Sequence, residues 1–373
     1  MKRLLFLLVA LTISVQSFAA LTWTVGPEIM PGAGNLQFYQ MGGAAELNGK
    51  MYIFGGNTAN GDDRKMYFTT LGLGTVSAFT TCTYTMPDGA TPGQADWCYN
   101  ERKTLSYNGR MYIVGGNNNG SDPERNQVTI ITPQPGGDIA NATDFNVTNA
   151  TGNSIARLES AAVVNPATGK LYVIGGGPGT QIDVAQISSV DGTVGAFSTA
   201  GALPASLDFH GAVILGGRLY VIGGWNGSAS VTTVQHTTFN GDGTIGAWTT
   251  DTSLPEGRYD GMALVYKGKI WYIGGTVTGN PTTRNTALLA TVDGSGNITG
   301  WTTDSTMVLK SSQTGTGGYP DFTGPTTGIR RITGVATDTN GIFIPGGRID
   351  STTWTGFVFI GRDLTDVETW SLY

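Results

Sequence analysis

The chemistry this chain offers is carried first by arginines at one repeated position. Arg157, Arg258 and Arg330 each stand sixteen residues before a Gly-Gly pair, once two extra turn residues in the segment Asn165–Lys170 are allowed for. Tyr99 occupies the matching place in an earlier segment, with Arg102 three residues on. Guanidinium groups grip carboxylates through two parallel hydrogen bonds, so several of them facing one point form an anion-binding device. The residues that directly follow the Gly-Gly pairs include Asn57, Asn117, Trp225 and Arg348, with Gly177 and Thr276 in the same register. They add amides, another guanidinium and an indole, whose face suits the apolar side of a sugar ring or a peptide side chain. His210 lies three residues past the arginine register, near the same point.

Other constellations are sparse. The only histidines are His210 and His236, and they fall on different parts of one repeat, so they do not define a metal site. Asp62, Asp63 and Asp122 lack the spacing of a calcium loop. No metal, cofactor or catalytic residue is assigned.

Residues so far apart converge only if the chain repeats one unit around an axis. Six copies of one phrase meet that condition: NGKMYIFGG at 48–56, NGRMYIVGG at 108–116, TGKLYVIGG at 168–176, GGRLYVIGG at 216–224, KGKIWYIGG at 267–275 and TNGIFIPGG at 339–347. Three positions before each first glycine stands an aromatic: Tyr52, Tyr112, Tyr172, Tyr220, Trp271 or Phe343. The first glycines are 60, 60, 48, 51 and 72 residues apart, the range of four-stranded propeller blades or somewhat above it. The Asn-Gly, Gly-Gly and Lys-Gly turns join the first two strands of a unit, because such turns need positive φ. Asp191–Thr193 and Asp242–Thr244 mark a second hairpin. The outer strands carry Phe79, Phe145, Phe197, Trp248, Trp301 and Trp370, and Trp23 makes a seventh. One strand is therefore in excess. A ring must close without leaving a bare edge, so residues 21–27 are expected to pair beside 367–373.

With its Gly-Gly pairs, the aromatic or polar residues after them and the tryptophans downstream, the pattern resembles the kelch repeat over nearly the whole chain. The resemblance implies an all-β fold, a six-bladed kelch-type β-propeller with four antiparallel strands per blade and an extra N-terminal strand near the closure. In such a propeller the innermost strands begin at one mouth of the axial channel. Arg102, Arg157, Arg258, Arg330, Arg348, Asn57, Asn117, Trp225 and His210 are thus expected to ring that mouth as ligand-binding residues. Kelch propellers include binding modules and enzymes, so fold alone does not select a function. The long connections at 82–98 and 303–329 should emerge on the same face, the second with Tyr319, Asp321 and Phe322 as a lid.

Composition bounds the setting. Glycine is 57 of 373 residues and charged residues are 13%. Lys2 and Arg3 precede an apolar run from Leu4 to Val15, then Ser17 and Ala19 supply a cleavage site, so residues 1–19 read as a signal peptide. The remainder, 20–373, reads as one propeller domain with no transmembrane segment, in the periplasm, secreted or on the cell surface. Without Lys2 and Arg3 the net charge moves from −6 to about −8, which disfavours nucleic acid as a partner. In an oxidising compartment Cys82 and Cys98 are expected to form a disulfide. The expected function is recognition of a carbohydrate or a peptide or protein ligand at the arginine-lined mouth without turnover. The alternatives are a sugar-modifying enzyme of the sialic-acid mutarotase type and a structural surface protein.

Overall fold

The structure is a computed structural model that describes residues 21–29, 38–41, 43–58, 61–72, 75–86, 103–115, 126–177, 179–306, 329–330, 332, 334–348 and 354–362. Its strands form six antiparallel blades around an axis. Blade two consists of Lys103–Tyr107, Arg110–Val114, Gln127–Ile131 and Phe145–Asn149, in spatial order from the axis outwards. Blade three repeats the order with Ala161–Asn165, Lys170–Ile174, Gln181–Gln186 and Ser198–Ala202. Blade four is built from Gly211–Leu215, Arg218–Ile222, Val234–Thr238 and Thr249–Thr250, and blade five from Met262–Tyr266, Lys269–Ile273, Thr286–Val292 and Ile298–Thr306.

The N-terminal strand closes the ring. The N-terminal strand Thr22–Glu28 pairs with Trp354–Arg362, in the register Trp23 opposite Gly361, and so supplies the outer strand of blade six itself. The expected partner segment 367–373, with Trp370, lies outside the described residues. Trp23 does what Trp248 and Trp301 do in blades four and five: it buries its indole in the cleft towards the preceding blade. Leu21 N–H also donates to Asp304 Oδ2 at 2.9 Å, fastening the strand to blade five. A second closure lies at the axis, where Gly334–Thr337 of blade six pairs in parallel with Ala44–Leu47 of blade one.

Each cleft between neighbouring blades has its own apolar core. Tyr172, Ile174, Leu219 and Val221 fill the cleft between blades three and four, for example, and Tyr220, Ile222, Ile270 and Tyr272 the next. Burying one such side chain contributes roughly 1.5–3 kcal/mol, so the stacked faces supply the drive for folding. The repeated aromatic has a second task at its hydroxyl. Tyr112 Oη donates to Gly192 C=O at 3.1 Å, Tyr172 to Gly243 C=O at 2.9 Å and Tyr220 to Gly296 C=O at 2.6 Å. Every acceptor is the turn glycine of the following blade.

The Gly-Gly pairs make the matching contact at the other end. Gly176 N–H donates to Leu207 C=O at 3.0 Å, Gly224 N–H to Arg258 C=O at 2.8 Å and Gly275 N–H to Ile329 C=O at 2.8 Å. Each donor leads to the segment that opens the next blade. A Cβ on Gly176, whose φ is 89°, would stand 2.4 Å from the Leu158 carbonyl oxygen, so only glycine fits there.

Candidate functional site

The segments before the innermost strands align as Arg157-Leu-Glu-Ser160, Leu207-Asp-Phe-His210, Arg258-Tyr-Asp-Gly261 and, in blade six, from Arg330. Their third members are unusual. Glu159, Phe209 and Asp260 adopt φ of 60°, 52° and 62°, a left-handed conformation that is costly for residues with a side chain. They are held there by one another: Phe209 N–H donates to Glu159 C=O at 3.0 Å and Asp260 N–H to Phe209 C=O at 3.1 Å. A hydrogen-bonded arc thus runs around the mouth from blade three to blade five. Arg330 extends it, with its Nη1 3.9 Å from Asp260 Oδ2.

On this arc three aromatic rings meet. The Tyr259 ring lies 5.3 Å from Trp225 and 5.9 Å from Phe209, tilted by 58° and 54°. All three residues are half-buried. Trp225 is set by an antiparallel pair of backbone bonds with Asp208, at 2.8 and 2.9 Å. Asp208 is buried and its Oδ1 has no hydrogen-bond partner; burial raises the carboxyl pKa above its ordinary value.

Below the arc an axial channel of about 440 Å³ is lined by the innermost strands of all six blades. Small residues, among them Ala45, Ala161, Gly211, Gly261 and Gly334, keep it open. His210 sits at its entrance, only 3% exposed, with both ring nitrogens unbonded. Burial, with the Lys103 charge, lowers its pKa to about 3, against an opposing effect of the Leu207 carbonyl. The imidazole is therefore neutral at physiological pH.

A family model described as the KLHDC2/KLHL20/DRC7 Kelch-repeats domain matches residues 101–295. The chain belongs to the kelch-repeat family. Among solved structures, that of YjhT is similar to this kelch chain with a TM-score of 0.60 at 14% identity, covering 88% of this chain and 95% of that one. The likeness carries the fold alone. No curated protein matches the sequence.

In this kelch propeller two of the expected arginines, among those with described side chains, turn into their own blades. Arg157 Nη1 pairs with Asp183 Oδ2 at 2.6 Å and Nη2 donates to Val173 C=O at 3.1 Å, both inside its own blade. Arg258 is buried: it donates to Gly274 C=O at 3.1 Å, Thr286 Oγ1 at 2.7 Å and Glu256 Oε1 at 2.7 Å. Arg284 holds the same carboxylate, with Nε 2.8 Å from Oε1 and Nη2 3.0 Å from Oε2. The physical reason is local. The segment enters the blade from outside, and its arginine reaches strand ends whose carbonyls and carboxylates would otherwise lack donors. Of the expected arginines with described side chains, Arg330 alone stays at the mouth, facing Asp260.

Trp225 follows Gly224 and meets Tyr259 on the arc, whereas Tyr259 and Phe209 were not among the expected residues. The repeat register held the signal, since both lie in the short segment before an innermost strand, but their side-chain meeting across two blades has no trace in one repeat. Asn57 and Arg348 occupy strand positions opposite Asp62 and Trp354. Arg102, Asn117 and the lid residues Tyr319, Asp321 and Phe322 lie outside the described residues. So does Cys98; Cys82 is buried with its thiol free in this structure. His236 lies away from the mouth, its Nδ1 2.8 Å from Asp251 Oδ2. Among the described residues no cluster of three metal-ligating side chains occurs, and no helix is long and apolar enough to cross a membrane.

Proposed function

We propose that this kelch propeller is a secreted or cell-surface binding module that takes a carbohydrate or peptide at its mouth and releases it unchanged. The observation that carries this reading is the corner formed by Phe209, Tyr259 and Trp225 on a strained, hydrogen-bonded arc. Strained residues persist where the surrounding structure holds them, and half-buried aromatic residues with polar tips suit amphipathic ligands. The leader-like first nineteen residues support the location. A second reading, a sugar-modifying enzyme of the sialic-acid mutarotase type, is favoured by one feature: Asp208, whose carboxyl pKa is raised, lies beside the aromatic corner.

The test is a thermal-shift screen of residues 20–373 against neutral sugars, sugar acids and short peptides. A ligand at 100 times its Kd stabilises the folded state by about 2.7 kcal/mol. Trp225→Ala should abolish the shift for a mouth ligand. Recovery of the ligand after incubation separates binding from turnover, and no shift with any ligand would favour a structural surface role.

A further inference from the structure

We infer that the aromatic corner recognises an organic ammonium group, with Asp208 as its counter-charge. This rests on the reading of the mouth as a binding site and names the chemistry of the ligand.

Two independent observations meet here. The first is the arrangement of rings. Tyr259 stands between Trp225 and Phe209 at 5.3 and 5.9 Å, and the tilts of 58° and 54° make walls of a corner rather than a flat stack. Ring faces carry negative charge density and attract cations, most strongly in tryptophan. The second is the unpartnered carboxylate oxygen. Asp208 and Trp225 exchange both backbone hydrogen bonds, an antiparallel pair whose side chains project to the same side of the ladder. The Asp208 carboxylate is thereby set beside the indole, and it is 8% exposed with Oδ1 unbonded. A buried acceptor without a donor is costly; an ammonium N–H would satisfy it by a hydrogen bond, and a quaternary ammonium would offset its charge while resting on the ring faces.

The charges nearby agree. The guanidinium groups of Arg157 and Arg258 face inwards onto Asp183 and Glu256. Arg330 approaches Asp260 rather than Asp208. Asp208 thus keeps a buried Oδ1 without a hydrogen-bond partner, on a chain whose net charge is already −6. A carboxylate ligand would meet like charge there; an ammonium would not.

The experiment compares choline with its neutral isostere 3,3-dimethylbutan-1-ol on the unaltered protein, by calorimetry or by ligand-observed NMR. The expected result is at least tenfold tighter binding of choline, a preference that Asp208→Asn removes while Trp225→Ala weakens both ligands. Two further pairs distinguish the source of the ammonium: glucosamine against glucose, and a lysine tripeptide against its norleucine counterpart. Equal binding of choline and the isostere, or no binding of either up to 100-fold molar excess of protein sites, overturns the inference. Neutral sugars or peptides that still bind and depend on Trp225 would leave the mouth reading standing. Because the comparison of choline with its isostere needs no variant, a folding defect in Asp208→Asn does not shelter the idea.

Discussion

Arg157 Nη1 lies 2.6 Å from Asp183 Oδ2, and Asp183 has no exposed side-chain surface. Asn153 Nδ2 and Gln181 Nε2 also donate to this carboxylate, at 2.7 and 2.8 Å. The pair is a blade-internal strut. Removing one partner of a buried pair strands the other charge, at a cost of about 3 kcal/mol. Arg157→Met is therefore expected to lower the unfolding free energy by about that amount in urea titrations. Ligand binding by the folded fraction should be unchanged; a lost ligand with unaltered stability would return Arg157 to the mouth.

The Tyr172 latch on Gly243 offers a milder test. The hydroxyl is buried, its pKa raised to about 12 chiefly by that burial, and it bonds a carbonyl of the next blade. Tyr172→Phe keeps the packing and removes one hydrogen bond, so a loss of about 1 kcal/mol is expected. Hydrogen exchange should rise at the Asp242–Thr244 turn, and unaltered exchange there would argue against the latch.

Acid sensitivity should trace in part to His210. Its pKa falls from 6.5 to about 3 on folding, so between these values the unfolded chain binds more protons than the folded one. Stability from this group is intact above pH 6.5 and is lost as the pH falls, by up to about 1.4 kcal/mol per pH unit. A His210→Gln variant should show a flatter decline in unfolding free energy between pH 6.5 and pH 4. An imidazole NMR signal of His210 that titrates near 6.5 in the folded protein would contradict the assignment.

Cys82 should be slow to react. Burial, reinforced by Asp138, pushes its thiol pKa up to about 12 against an opposing bond from the Ile139 backbone. At pH 8 the thiolate fraction is then on the order of one in ten thousand, and the thiolate is the reactive form. Native protein is expected to resist alkylation that proceeds rapidly in denaturant. Resistance in denaturant that disappears on adding a reductant would reveal a bridge instead.

Much of this molecule is legible in the repeat itself. The positions of Gly-Gly, the tyrosines and the outer tryptophans follow from one unit and its turn chemistry, because each contact that fixes a blade is repeated between neighbours. The Tyr112, Tyr172 and Tyr220 latches and the Gly176, Gly224 and Gly275 bonds express that periodicity directly. Trp225 was legible for the same reason, as the indole after a Gly-Gly.

What the tertiary structure decided is which way shared positions face and which distant ones touch. The sequence marks Arg157 and Arg258 as repeated cations, yet their reach to Asp183 and Glu256 depends on side-chain direction within a blade. Phe209, Tyr259 and Trp225 come from two blades and meet only when those blades pack at their observed angle. The closing strand obeys the same logic. Trp23 could be counted as an extra outer aromatic from the sequence, but its pairing opposite Gly361 is a property of the closed ring, since the energy that selects it is burial between strands far apart in the chain.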